Sequence, residues 1–163
     1  MGASSTPAAR AAALKRLTQF PVRLGVVAHA VADADEAAGG PPAGEWSARE
    51  NVAHLVAVER TVWQARLDGL AALPPGEEPV WAWTEPGPVE DPDVATLDGA
   101  LAVFAAERGR TLTRLNALDD AGWARTGTHA TYGPLDVAAL LRIAANHDDE
   151  HVTNMTNGRA VSA

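Results

Sequence analysis

The feature that most restricts the fold of this chain is an apolar stripe near the C-terminus. Its members recur at steps of three and four residues: Val137, Leu140, Ala144, His147, His151 and Met155. This period predicts an amphipathic helix whose stripe faces a core. Two histidines lie on the stripe one turn apart, so both imidazoles share the inward face. Buried imidazoles need polar partners because unpaired buried polar groups are costly, and a metal ion would satisfy both at once.

Similar periodicity predicts three more long helices, and therefore a four-helix bundle of the all-α class. The predicted helices span residues 8–38, 47–73 and 91–118, and the last begins at Gly133-Pro134. Pro21 predicts a break and restart in the first helix, because proline removes a helical hydrogen bond. Ser47 and Glu50 form a capping-box pattern that starts the second helix. Residues 126–132 are predicted to be irregular.

A proline-rich segment follows the second predicted helix. Residues 74–92 hold six of the eleven prolines, so no regular element is expected there. The segment also carries Trp81 and Trp83. Large aromatic side chains on a loop cover something, and two interpretations stay open: the tryptophans pin the loop to the core, or they cover a ligand pocket.

Length, net charge and cysteine content limit the kinds of protein that this chain can be. A length of 163 residues predicts one domain, residues 1–163. A net charge of −8 argues against a nucleic-acid partner. Neither a signal peptide nor an apolar run long enough to cross a membrane is evident, which predicts a cytoplasmic protein. With no cysteine, the chain has no disulfide and no thiol nucleophile, so thiol chemistry would need a small-molecule thiol.

The second predicted helix supplies a third inward histidine. His54 falls on its apolar face, and with His147 and His151 it completes a three-imidazole set. Such sets bind zinc with one position open, although nitrogen ligands also suit nickel, iron or copper. An open position activates a bound water or thiol for attack on an electrophile.

The remaining polar residues near these histidines have simpler interpretations. The acids at 148–150 are predicted to form a solvated helix flank, the alternative being that one of them orients a ligand histidine. His29 is predicted to be a partly exposed structural residue. His129, in the predicted irregular stretch, is expected to form hydrogen bonds and not to bind metal.

Three separated blocks resemble the DinB-like superfamily of bacterial metal-binding four-helix bundles. They are EWSARENVAHL at residues 45–55, LDDAGW at 118–123 with Arg125, Gly127 and His129 after it, and YGPLD at 132–136 running through to HDDEH at 147–151. The resemblance implies an up-down-down-up bundle with a long loop between helices two and three. It also implies homodimers and a divalent metal, zinc or nickel, on three histidines that fall on His54, His147 and His151.

Relatives implied by this resemblance include bacillithiol and mycothiol transferases and a mycothiol-dependent maleylpyruvate isomerase. The first functional hypothesis is therefore a metal-dependent enzyme that transfers a low-molecular-weight thiol to an electrophilic small molecule. The second is a non-catalytic bundle whose metal is structural and whose role is stress-linked binding or dimerisation. Metal-dependent hydrolysis of a small ester or amide is a further possibility within the enzyme class.

Overall fold

The computed structural model describes residues 6–161 of the chain. Its α-helices are α1 (Pro7–Ala38), α2 (Ala48–Val58), α3 (Ala65–Ala72), α4 (Leu97–Asn116), α5 (Asp120–Trp123) and α6 (Val137–Thr156). Its strands are β1 (Val80–Trp81), β2 (Thr126–His129) and β3 (Gly133–Asp136). A π-helical segment, Glu59–Gln64, joins α2 to α3, and a 3₁₀ turn, Pro92–Val94, precedes α4. The chain is mostly helical, as predicted, and it also carries a small three-stranded sheet that the all-α prediction did not include.

The long helices pack side by side, and their buried apolar residues form two clusters. Helix α1 lies against α4 and α6, and α2 lies against α4 and α6. The stripe on α6 is buried, as predicted, because it faces these helices: Leu140 and Met155 are fully inaccessible and His147 is 5% exposed. None of the helices in residues 6–161 is long and apolar enough to cross a membrane.

Helix α1 continues through Pro21, so the predicted break there is wrong. Proline lacks the N–H that would bond to the carbonyl four residues earlier, here that of Leu17. This carbonyl instead accepts a hydrogen bond from Nη1 of Arg108 on α4, at 3.3 Å. A tertiary contact thus satisfies the group that the proline leaves free, and the helix continues.

The segment between α5 and α6 is a β-hairpin, which corrects two predictions. Residues 126–129 are a strand, not irregular, and Gly133-Pro134 belongs to β3 and does not start the last helix. Pro134 is tolerated because β3 is an edge strand of the sheet β1-β2-β3. Helix α6 begins at Val137, after Asp136 accepts a hydrogen bond from the Ala139 amide at 2.8 Å.

Strand β1 lies in the proline-rich segment, where no regular element was expected. It pairs in parallel with β2, with Trp81 opposite His129. The Trp81 ring packs over Gly127, where a Cβ would come within 2.5 Å of the ring, so no larger residue fits there without displacing it. The buried Trp81 therefore pins the segment to the bundle, which is one of the two interpretations left open.

Candidate metal centre

Three imidazoles from two helices converge inside the bundle. His54 comes from α2, on a helix begun by the predicted Ser47–Glu50 capping box, and His147 and His151 come from α6. The Nε2 atoms of His54 and His151 are 3.1 Å apart. The His147 ring centre lies 4.5 Å from that of His151 and 5.7 Å from that of His54. The rings of the three predicted histidines therefore lie close together in the fold.

The ring of His54 is oriented from the proline-rich segment. Its Nδ1 lies 2.6 Å from the carbonyl oxygen of Pro86. A carbonyl only accepts, so Nδ1 carries the proton and Nε2 presents a free lone pair to the other two histidines. The Nδ1 atoms of His147 and His151 are buried with no such partner in residues 6–161.

Glu85 brings a carboxylate to the same point, and sequence reasoning missed it. Its Oε1 lies 3.7 Å from Nε2 of both His54 and His151, and 3.8 Å from Nε2 of His147. Its Oε2 accepts a hydrogen bond from the Trp83 indole N–H at 3.1 Å. The only signal in the sequence was an acid two residues after a loop tryptophan, with no periodicity to place it.

Burial keeps the three imidazoles neutral near pH 7. It lowers the pKa of His147 to about 4 and, together with the neighbouring His147, the pKa of His151 to about 3. Burial also lowers the pKa of His54. The ligand atoms of the three histidines and Glu85 all lie within 4.8 Å of one another. Nitrogen and carboxylate donors in this number and at this spacing fit a divalent metal ion.

Asp148 does not lie on a solvated flank, so that prediction is wrong for it. It is 2% exposed and pairs with Arg108, whose Nη1 lies 3.0 Å from its Oδ2. Arg108 also bonds to Glu59 of the π-helical segment, with Nη2 to Oε2 at 3.0 Å. Arg108, Glu59 and Asp148 thus form a buried triad. The triad holds α6 in place at Asp148, the residue next to His147. Asp149 is partly exposed and bridges Arg16 and Arg23.

The other two histidines lie outside the group. His29 is half-exposed and lies 3.2 Å from Asp98, which agrees with its predicted structural role. His129 is buried on β2, and its Nδ1 accepts a hydrogen bond from the Thr131 amide at 3.0 Å. Its predicted hydrogen-bonding role is confirmed, and its predicted place in an irregular stretch is wrong.

Trp83 borders the histidine group. The side chain is 45% exposed, and its ring centre lies 6.4 Å from that of His147 and 6.3 Å from that of His129. Trp81 anchors the segment, whereas the interpretation that a loop tryptophan covers a ligand pocket stays a prediction.

Comparisons with known proteins identify the fold and the family of this chain. The structure is similar to YfiT from Bacillus subtilis, described as a probable metal-dependent hydrolase with an unusual four-helix bundle topology. The TM-score is 0.65 at 20% identity, over 94% of this chain and 87% of that one, a likeness that shows the fold. No curated protein sequence matches significantly. The family model of the DinB superfamily matches residues 8–155, nearly the whole length, and the chain belongs to that superfamily.

Proposed function

We propose that His54, His147 and His151 bind one divalent metal ion, zinc or nickel, and that the protein is a metal-dependent enzyme acting on a small molecule. The observation that carries the proposal is the convergence of four candidate ligand atoms, from the three histidines and Glu85, within 4.8 Å. A cation placed among these nitrogen and carboxylate oxygen atoms would accept the lone pairs that they direct into one shared space.

A divalent metal held there would lower the pKa of a coordinated thiol or water and polarise a carbonyl group. Side chains of the protein would accept the proton and orient the groups around the metal. Glu85 is half-exposed, and its Oε1 faces the three nitrogens, so it is placed to accept the proton of a thiol or water. Trp83 holds the other carboxylate oxygen, which leaves Oε1 directed inward. Pro86 keeps the His54 lone pair directed inward.

The reaction that we favour is transfer of a low-molecular-weight thiol to an electrophile. The chain has no cysteine, so the thiol would be a cosubstrate. The DinB superfamily resemblance supports this choice. The second candidate is hydrolysis of a small ester or amide, favoured by a carboxylate base beside the histidines and by the description of YfiT.

Five further features stay predictions: the up-down-down-up connection with its long loop, a single domain over residues 1–163, a homodimer, a small-molecule partner and a cytoplasmic location. So does the non-catalytic alternative, in which the metal only stabilises a binding or dimerisation module.

Metal titration tests the ligand set. Chelator-treated protein is titrated with Zn²⁺ and Ni²⁺ by calorimetry, and bound metal is counted by elemental analysis. One equivalent is expected for the wild type, and stoichiometric binding should be lost in His147→Ala and His151→Ala. His29→Ala is the matched control and should bind like the wild type. A triad variant that keeps full metal would contradict the assignment.

Turnover assays test the reaction. Metal-loaded protein is mixed with bacillithiol, mycothiol or glutathione and a panel of electrophiles, and separately with nitrophenyl esters. Thiol-dependent product is expected, and Glu85→Gln should lower kcat by about 10²-fold or more because general-base catalysis contributes at least that much. A melting temperature that falls on chelation, with no turnover on any substrate, would favour the structural-metal alternative.

A further inference from the structure

Next to the three histidines lies a second buried polar group, made of Arg66 and His129. Arg66 is 6% exposed, and its Nη2 donates to the carbonyl oxygen of Ala82 at 2.8 Å. Its Nη1 is buried and bonds to nothing in residues 6–161. No carboxylate in that range forms an ion pair with this guanidinium, and burial alone lowers its pKa. Arg66 is therefore a buried cation without a counter-ion in the described part of the chain.

His129 presents a second donor without an acceptor. Its Nδ1 accepts from the Thr131 amide, so the neutral ring carries its proton on Nε2. This Nε2 is buried and has no partner among the described residues. Burial and the positive charge of Arg66 lower the pKa of His129, which keeps the ring neutral near pH 7.

Arg66 and His129 are both neighbours of Trp81. The guanidinium of Arg66 lies over the Trp81 ring at 5.6 Å, and His129 pairs with Trp81 in the parallel ladder. Arg66 also lies 5.4 Å from the Trp63 ring centre, and that ring contacts His147 at 5.9 Å. Trp63 therefore lies between Arg66 and the three-histidine group.

The cost of leaving these groups unpaired indicates what they bind. A buried charge without a partner costs several kcal/mol, and an unpaired buried donor costs further free energy. Both groups donate only, so the ligand that satisfies them must accept and carry negative charge. A guanidinium matches a carboxylate in geometry as well as charge.

We propose that Arg66 and His129 form a subsite for the carboxylate of a small-molecule substrate or cosubstrate, whose reactive group lies at His54, His147 and His151. The position of the reactive group rests on the proposed function, whereas carboxylate binding does not. Trp83 and Tyr132, each about half-exposed, lie against the His129 ring at 6.3 Å and 4.9 Å between ring centres.

The test uses full-length, metal-free protein, so that no metal can bind the anion. Propionate, succinate and inorganic phosphate are titrated at constant ionic strength, with chloride as the control salt. Tryptophan fluorescence reports binding, since Trp63, Trp81 and Trp83 border the subsite, and thermal melting reports stabilisation. We expect a saturable response to the carboxylates and none to chloride.

Variants assign the response to the subsite. Arg66→Met should weaken carboxylate binding about 10- to 100-fold, the value of a charge-assisted hydrogen bond. His129→Phe removes the second donor and should weaken it less. Arg114→Met is the matched control, because Arg114 is a partly exposed arginine that is already paired with Asp68, and it should bind like the wild type. If Arg66→Met does not fold, Arg66→Lys keeps the charge without the planar fork and should still bind more weakly than the wild type.

Three outcomes would overturn the proposal: no saturable response from the wild type, an equal response from a folded Arg66 variant, or a response to phosphate and to neither carboxylate. Zinc titration separates this failure from failure of the proposed function. Arg66→Met should bind one equivalent of zinc with wild-type affinity, because it provides no atom to the three-histidine group.

Discussion

Two buried arginines in this protein have opposite surroundings. Arg108 is 1% exposed and lies between the carboxylates of Glu59 and Asp148, which hold its pKa above the usual range. Arg66 is 6% exposed and bonds to one carbonyl oxygen, and burial lowers its pKa. The first charge is neutralised within the fold, whereas the second has no counter-ion in residues 6–161.

The aromatic surroundings of the two arginines are alike. The guanidinium of Arg108 lies 5.7 Å and 5.0 Å from the ring centres of Phe20 and Phe104. That of Arg66 lies over two tryptophan rings at similar distances. The difference therefore lies in the neighbouring carboxylates. Arg108 has two of them and joins helices, whereas Arg66 has none in residues 6–161 and is proposed to bind a ligand.

The largest expected effect comes from removing the neutralised charge. Arg108→Met should lower the free energy of unfolding by about 3–5 kcal/mol, because it leaves Glu59 and Asp148 buried and unpaired. Urea denaturation measures the loss. Replacing all three residues by apolar side chains, Arg108→Met with Glu59→Leu and Asp148→Leu, should recover part of it, since the Leu17 carbonyl still lacks its hydrogen bond from Arg108. A loss below about 1 kcal/mol in the single variant would mean that the triad is not a structural element.

A pH titration tests the three-histidine group, whose imidazoles are also buried. The pKa of His147 is about 4 in the fold against 6.5 as the ordinary value, so the unfolded chain binds more protons and stability falls as pH falls below about 7. The contribution of His147 should decline by on the order of 3 kcal/mol by pH 4.

Urea denaturation of metal-free wild type and His147→Gln at several pH values isolates this contribution, since the other ionisable groups are common to both proteins. The wild type should lose more stability than the variant as pH falls. Parallel pH profiles would show that burial does not shift the pKa of His147 as described.

The same substitution at the second arginine should have little effect. In buffer without carboxylates or phosphate, Arg66→Met should change the free energy of unfolding by less than about 1 kcal/mol, since loss of one hydrogen bond is offset by removal of an unpaired charge. Urea denaturation alongside Arg108→Met makes the comparison direct. A loss as large as that of Arg108→Met would make Arg66 a structural residue.

The smallest effect is expected at Asp149, the partly exposed acid next to the triad. Asp149→Asn should cost about 0.5 kcal/mol, because its pairs with Arg16 and Arg23 are partly solvated and surface ion pairs contribute little. Asp148→Asn, one residue earlier but buried, should cost several times more. Measuring both at low and high salt adds a control, because only the Asp149 contribution should fall as salt rises.

Local patterns predicted the residues whose position depends on one helix alone. His54, His147 and His151 could be placed on inward faces because helical period fixes which side chains share a face. The Ser47–Glu50 capping box was predictable for the same reason, since its bonds join residues three apart. That these three histidines bind a metal stays a prediction.

What only the tertiary structure decided involves contacts between distant segments. Pro21 stays in a helix because Arg108, far along the chain, bonds to the carbonyl that it leaves free. Glu85 reaches the histidines because β1 pairs with β2 and fixes the proline-rich segment against the bundle. Whether a buried charge is neutralised, as at Arg108, or left open, as at Arg66, depends on which distant side chains the fold brings within a few ångströms, and no local period encodes that distance.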